Sequence, residues 1–359
     1  MIGSLTPFVG LGGTSAAAAA ASPAQLLTIT IPDSQGEIPS TWLGYPGPPR
    51  AEVWLPPGYN PNQRYPLLLL LHGLNSHYDW YAQSGLTSSF AGLDAIVVMP
   101  EGASGWYTDW WNNGARGGPA WESYDLNDVI PAVLARFPIL PGRQYHAIAG
   151  ISMGGLGSTY LGGRLPGFFG SVASLSGFDD LSYYPYLVEP GMALTAEAPL
   201  HGDNDADPVD GEPLDFYFDG HDPSQLVHNL QNTRVFISSG TGHPSAPGIA
   251  LATHGGLANV LGGSVAEAAV IYPMNQRYVQ ALLAAGINVT YQFHPGGHDI
   301  PDFASELQAM IAWGLFKPVV SDPGSWTNST VATSGQLWDI SYHFSSPPTA
   351  VVQFQQVGN

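Results

Sequence analysis

The chain has no cysteine and a single lysine, Lys317. The first absence excludes disulfides, Cys-ligated zinc and a thiol nucleophile. The second belongs to a wider shortage of positive charge. Nine Lys and Arg stand against 28 Asp and Glu, for a net charge of −19. Phosphate binding needs clustered cations, so nucleic acid is excluded as a natural partner. The same shortage argues against docking on anionic lipid. Disorder is excluded in turn, because 44% of the residues are hydrophobic. What is plentiful is Gly (44) and Pro (32) in 359 residues, the mark of a loop-rich, acidic globular protein. A 38.0 kDa chain removes roughly three quarters of its unfolded surface from water on folding, enough for a large core.

Residues 1–25 are small and apolar and run into the Ala-rich stretch 16–21, as before an export cleavage site. The positive start of such a signal is missing, since the first cation is Arg50. Residues 1–25 therefore read as a flexible N-terminus or signal remnant of a secreted or cell-envelope protein. They are too rich in Gly and Ala for a membrane span, and the sequence offers no other candidate.

Eight short apolar runs recur between Gly/Pro-rich turns: 26–31, 51–55, 66–71, 95–99, 145–149, 171–175, 234–238 and 288–293. Several are apolar throughout, as in strands of a parallel sheet buried on both faces. Helical stripes lie between them at 124–137, 276–285 and 303–315. The alternation predicts an α/β fold, a mostly parallel central sheet with helices on both faces, over residues 26–317. Residues 178–232 read as a long irregular, lid-like insertion. Residues 318–359 alternate and are rich in Thr, Val and aromatics. They predict two or three strands in a short C-terminal β extension.

The sharpest signal is Gly150-Ile151-Ser152-Met153-Gly154-Gly155, after a buried strand and before a helix. This is the context of the nucleophile elbow in the α/β-hydrolase fold, a tight turn that lifts the serine hydroxyl above the sheet. Side chains at 150 and 154 would collide across such a turn. The helix N-terminus behind Ser152 favours developing negative charge. The bland alternative is a Gly-rich turn carrying a surface serine.

In that fold the base follows the acid, and the acid follows the serine. The strand at 288–293 runs into His294-Pro295-Gly296-Gly297-His298. His298, on the flexible side of that loop, is the predicted base, with His294 as the alternative. The usual acid position after strand 234–238 reads Ser-Gly-Thr-Gly-His and has no carboxylate. Between Asp222 and Asp299 the only acid is Glu267, which inherits the role by elimination. Its rivals are Asp179, Asp180 and Asp219. The oxyanion hole is expected from the N–H of Met153 and from Leu74, in the loop His72-Gly73-Leu74-Asn75 after the five-leucine strand. His72, Asn75 and Trp110 are weaker candidates for substrate contact; packing roles are as plausible for His72 and Trp110. The acidic run Asp203, Asp205, Asp207, Asp210, Glu212 fails the EF-hand pattern at Pro208 and Leu214, so a solvated loop is favoured over calcium. No cofactor and no metal is called for. The expected substrate is a small-molecule or a lipid or polymer ester, and the oligomeric state stays open.

With these residues in view, the chain resembles the esterase family of α/β-hydrolases that includes the mycobacterial antigen-85 mycolyltransferases. The stretches that carry the likeness are LLLLLHGLNS, GWYTDWW, Trp121-Glu122, GISMGG, ASLSGFDDL, HDPSQLVHNLQNTRVFISSGTG and PGGHDIPDFASELQAM, over roughly residues 50–315. The resemblance implies a Ser-Glu-His triad at Ser152, Glu267 and His298, with oxyanion donors Leu74 and Met153. It implies acyl-ester chemistry, as hydrolysis or as acyl transfer to a sugar or glycerol hydroxyl. The Asp-Gly-Leu-Arg segment that helps those relatives hold trehalose reads His72-Gly73-Leu74-Asn75 here. The aromatic two residues past their catalytic His is Ile300. The extension after Lys317 lies outside the mycolyltransferase pattern.

Overall fold

A computed structural model of the chain describes residues 22–111, 119–201 and 209–358. Eight strands form the central sheet: β1 (Gln25–Thr30), β2 (Arg50–Leu55), β3 (Leu67–Leu71), β4 (Ile96–Pro100), β5 (His146–Ile151), β6 (Ser171–Leu175), β7 (Arg234–Gly240) and β8 (Val289–His294). Their order is β1-β2-β4-β3-β5-β6-β7-β8. The first two pairings are antiparallel and the remainder parallel. Each strand coincides, within a residue or two, with one of the eight apolar runs.

The five leucines of β3 show why such a run suits a doubly covered sheet. Side chains alternate across a strand. Leu67, Leu69 and Leu71 pack with Trp110, Tyr124 and Leu156 on one face. Leu68 and Leu70 pack with Tyr81, Phe90 and Leu307 on the other. A polar residue at any of the five positions would be buried.

The helices that matter below are α1 (Ile130–Arg136), α2 (Met153–Arg164), α3 (Pro185–His201), α4 (Ala246–Leu251), α5 (Leu257–Ala266), α6 (Tyr272–Ala284) and α7 (Ile300–Trp313). α5 and α6 are joined without a break by a π-helical turn, Glu267–Ile271. Residues 257–284 are long and apolar enough, by length and composition, to cross a membrane, so the sequence did hold a second candidate. Glu267 and Asn275 within that run are fully buried and hydrogen-bonded to the sheet domain, while Leu257, Leu261 and Val265 on it are exposed.

Two expectations change. Residues 178–232 are not uniformly irregular, because α3 supplies seventeen residues of helix. Pro185, Pro190, Gly191 and Pro199 hid it by reading as breakers. Its contact with the body includes a hydrogen bond from Trp106 Nε1 to Met192 O, 3.2 Å. The C-terminal segment holds four strands rather than two or three: β9 (Ser325–Thr330), β10 (Ser334–Leu337), β11 (Ile340–His343) and β12 (Val352–Val357). They form two hairpin-like ladders, β12-β9 and β10-β11, separate from the central sheet. Asp203, Asp205 and Asp207 of the acidic run, and residues 1–21, lie outside the described residues.

Candidate active site

Ser152 sits between β5 and α2 with φ 60° and ψ −119°. A non-glycine residue on that side of the backbone map is strained and persists only where its surroundings enforce it. They do so through two hydrogen bonds, Ser152 N–H to Leu175 O at 2.9 Å and Gly155 N–H to Ser152 O at 2.8 Å. The glycines make room. A Cβ on Gly150 would lie 2.1 Å from Gly154 O, and one on Gly154 would lie 2.3 Å from Leu71 O.

Ser152 Oγ lies 2.9 Å from His298 Nε2. His298 Nδ1 lies 2.9 Å from Glu267 Oε2. The structure thus brings the three predicted side chains into one hydrogen-bonded row. His298 stands edge-on to Phe303, ring centroids 4.9 Å apart. Glu267 is fully buried and sits on the π-helical turn after α5. Glycine again allows the approach, since a Cβ on Gly240 would meet Gly296 O at 2.6 Å and Glu267 Cγ at 3.2 Å. Ser239, at the end of β7 where an acid was first sought, donates to Glu267 Oε1 at 2.7 Å.

His294, the alternative base, faces elsewhere. Its Nε2 lies 3.0 Å from Glu306 Oε1. Burial opposes its charge, but the hydrogen bond and negative charge of Glu306 prevail and push its pKa up to about 9. The rival acids are occupied too. Asp179 accepts from Thr159 Oγ1 at 2.9 Å, and Asp180 pairs with Arg277 at 2.6 Å. Asp219 lies in the short helix Phe216–Asp219.

The loop after β3 arches over the serine. A Cβ on Gly73 would sit 3.5 Å from Ser152 Cβ, so Leu74, half-buried, borders the same space. Met153 is the first residue of α2, where N–H groups have no intrahelical acceptor. Asn75 is exposed, with φ 55°, and its N–H donates to Ser104 Oγ at 3.2 Å. His72 is 1% exposed, and its Nε2 accepts from Gly102 N–H at 3.1 Å. The ring supports the loop from beneath and is closed to substrate. Trp110 is likewise a packing residue, 2% exposed and set edge-on against Trp42.

Sequence reasoning missed what holds this loop. Glu101, directly after β4, is fully buried. It accepts from Tyr45 Oη at 2.9 Å and from the N–H of Ala103 at 2.8 Å, and it faces His77 Nδ1 at 3.1 Å. Burial works against its charge, yet the nearby His72 and His77 rings hold its pKa down at about 2. An acid at the end of one strand, with His72 and His77 in the loop after the neighbouring strand, was the available signal.

Among the described residues, one trio of acids, Asp33, Glu37 and Asp128, has ligand-type oxygens within 4.8 Å of one another. Backbone N–H groups of Gly36, Ile38 and Ser34 already bind Asp33 and Asp128. A cavity of about 850 Å³ opens at the far end of α2, lined by Glu122, Arg164, Tyr217, Trp338 and Tyr342 among others. Ser152, Glu267 and His298 do not line it.

Comparison with known proteins finds relatives named as an esterase and as an acyltransferase. The Mycobacterium tuberculosis protein named "Esterase Rv1288" is 28% identical over 275 residues, covering 74% of this chain. The chain spans only 56% of that relative's length. The "Diacylglycerol acyltransferase/mycolyltransferase Ag85C" of Mycobacterium leprae is 27% identical, over 67% of this chain and 71% of its own. The crystal structure of Mycobacterium tuberculosis MPT51 (FbpC1) shares the fold with a TM-score of 0.58 at 22% identity, covering 82% of this chain and 99% of that one. Residues 45–313, from just ahead of β2 through α7, match the family model described as "Putative esterase", and the chain belongs to that esterase family.

Proposed function

We propose that the chain is a serine carboxylesterase. His298 takes the Ser152 proton as Oγ attacks the ester carbonyl, and the N–H groups of Met153 and Leu74 receive the oxyanion. Glu267 fixes the His298 ring and balances its positive charge. His298 then gives its proton to the departing alcohol, and water activated by the same ring hydrolyses the acyl-enzyme. The observation that carries this reading is the pair of 2.9 Å contacts, Ser152 to His298 and His298 to Glu267. Family membership agrees with it.

A second reading is favoured by the relative named as an acyltransferase. There a sugar or glycerol hydroxyl replaces the water. The buried His72 and exposed Asn75 in the loop over Ser152 speak against an acceptor held as trehalose is held in the mycolyltransferases. In this proposal residues 26–317 are the catalytic domain, with 178–232 as its lid-like insertion and 318–359 as an extension. The protein acts outside the cell or in its envelope, on a small-molecule, lipid or polymer ester.

The test is a series of p-nitrophenyl esters of rising chain length, with and without glycerol, trehalose or diacylglycerol. We expect free acid as the main product. Capture of most acyl groups by an added alcohol would favour the transferase, and absence of turnover on every ester would remove the enzyme reading.

A further inference from the structure

Behind Glu267 lies a second carboxylate that the reaction above does not use. Glu306, on α7, is 1% exposed. Its Oε1 lies 3.0 Å from His294 Nε2, 3.1 Å from Ser176 Oγ and 3.3 Å from Ser238 Oγ. Its Oε2 is buried without a partner. Ser176 follows β6 with φ 48° and is fully buried. Its hydroxyl also lies 2.7 Å from Glu267 Oε1. The side chains therefore form one continuous row: Ser152, His298, Glu267, Ser176, Glu306, His294.

A hydroxyl has one proton to give. Ser176 stands between two carboxylates and can serve only one of them, and the shorter contact is to Glu267. Two buried anions sharing a hydroxyl repel each other, and each raises the proton affinity of its surroundings. Burial and the charge of Glu267 both push the Glu306 carboxyl up, while His294 pulls it down. His294 closes the row with the opposite charge, and it is the only cation that faces Glu306 among the described residues. The other titratable neighbours are Asp302, whose Oδ2 accepts from Gly297 N–H at 2.7 Å, and Asp299, which caps α7; both are acids.

We propose that His294 and Glu306 are a positioning pair for the Ser152 site, resting on the reading of that site given above. His294 carries the counter-charge to Glu306. With it in place, Glu306 neither takes the Ser176 proton from Glu267 nor adds its charge to the Glu267–His298 pair. The signs follow from electrostatics alone. Removing the His294 cation leaves the site one charge more negative, and the Glu267–His298 pair holds its proton to higher pH. Removing the Glu306 anion does the reverse. Removing both restores the balance.

The test compares wild type, His294→Gln, Glu306→Gln and the double variant, each checked for a cooperative thermal transition. Two readouts run in parallel: the acid limb of the pH profile of kcat/KM on a soluble p-nitrophenyl ester, and the titration of the His298 ring by NMR in a Ser152→Ala background. We expect the single variants to shift both in opposite directions, His294→Gln upward and Glu306→Gln downward, by about half a pH unit or more. The double variant should return to within about a quarter unit of wild type. Shifts of the same sign, additive losses, or no shift in His294→Gln would overturn the pair. An NMR shift of the expected signs in a chain that turns over no ester would keep the pair and discard the esterase.

Discussion

The two ends of helix α2 are built on opposite principles. At its start, Ser152 is held in a strained turn by close backbone packing, with Gly150 and Gly154 leaving no room for a Cβ. About 18 Å away, at its last residue, Arg164 is held by charge. Its Nε meets Glu122 Oε1 at 2.5 Å, its Nη1 meets Tyr342 Oη at 3.0 Å, and its Nη2 meets Ser334 O at 3.3 Å. The first end keeps a hydroxyl available. The second fastens the C-terminal extension to the body beside the cavity that opens there. One rigid element thus joins a reactive end to an anchored one, and the two can be disturbed separately.

The largest expected effect is at the reactive end. Ser152→Ala should lower ester turnover by about 10⁴-fold or more. Its melting temperature should stay within a degree or two of wild type, since only one oxygen is lost. A large fall in stability would mean that the Ser152–His298 contact also holds the fold together.

The anchored end should respond in the opposite way. Arg164→Gln leaves the buried Glu122 without its counter-charge. Burial alone would raise that carboxyl, and Arg164 holds its pKa down at about 2. Breaking such a pair costs about 3–5 kcal/mol, visible as a drop in denaturant midpoint. Turnover per folded molecule should stay within about threefold of wild type. Loss of turnover without loss of stability would show that the two ends are coupled after all.

The smallest effect is one of pH. Glu101 and Glu122 have depressed pKa values, so the stability they contribute is present above about pH 4.5 and lost as pH falls toward 2. The opposite case is more widespread. Burial raises Glu37 and Glu52 to about 7, and Asp109, Asp179 and Asp222 to about 6. Each of these loses stability as pH rises from its unfolded pKa through those values. His294 adds a loss between about 6.5 and 9. Melting temperature should therefore peak near about pH 4 and fall on both sides. A maximum at pH 8 would mean that the buried carboxylates are ionised in the fold.

Much of this was legible in the sequence. The eight sheet strands were readable because buried parallel strands must be apolar on both faces, as the leucines at 67–71 show. Ser152 and His298 were readable because their turns require glycine. Glu267 emerged by elimination, yet its setting on a π-helical turn was not visible, because the apolar period runs through 257–284 without a mark. The Ser176–Glu306–His294 row was hidden for a different reason. Each member comes from a separate element, and a buried acid on an apolar helix face looks the same in sequence as a solvated one. α3 was obscured by its prolines. His72 and Trp110 remained ambiguous because a glycine-flanked histidine or a tryptophan suits a binding loop and a core equally well.

The row from Ser152 to His298 also has a consequence in time. The two residues are 146 positions apart, and Glu267 is 31 from His298. β5, β6, β7 and β8 lie side by side between Ser152 and the His298 loop, and each parallel pairing is a non-local contact that forms slowly. A refolding chain should thus regain its helices first and its reactive serine last. Reactivity at Ser152 is in this sense a clock that strikes only when the whole width of the sheet has closed.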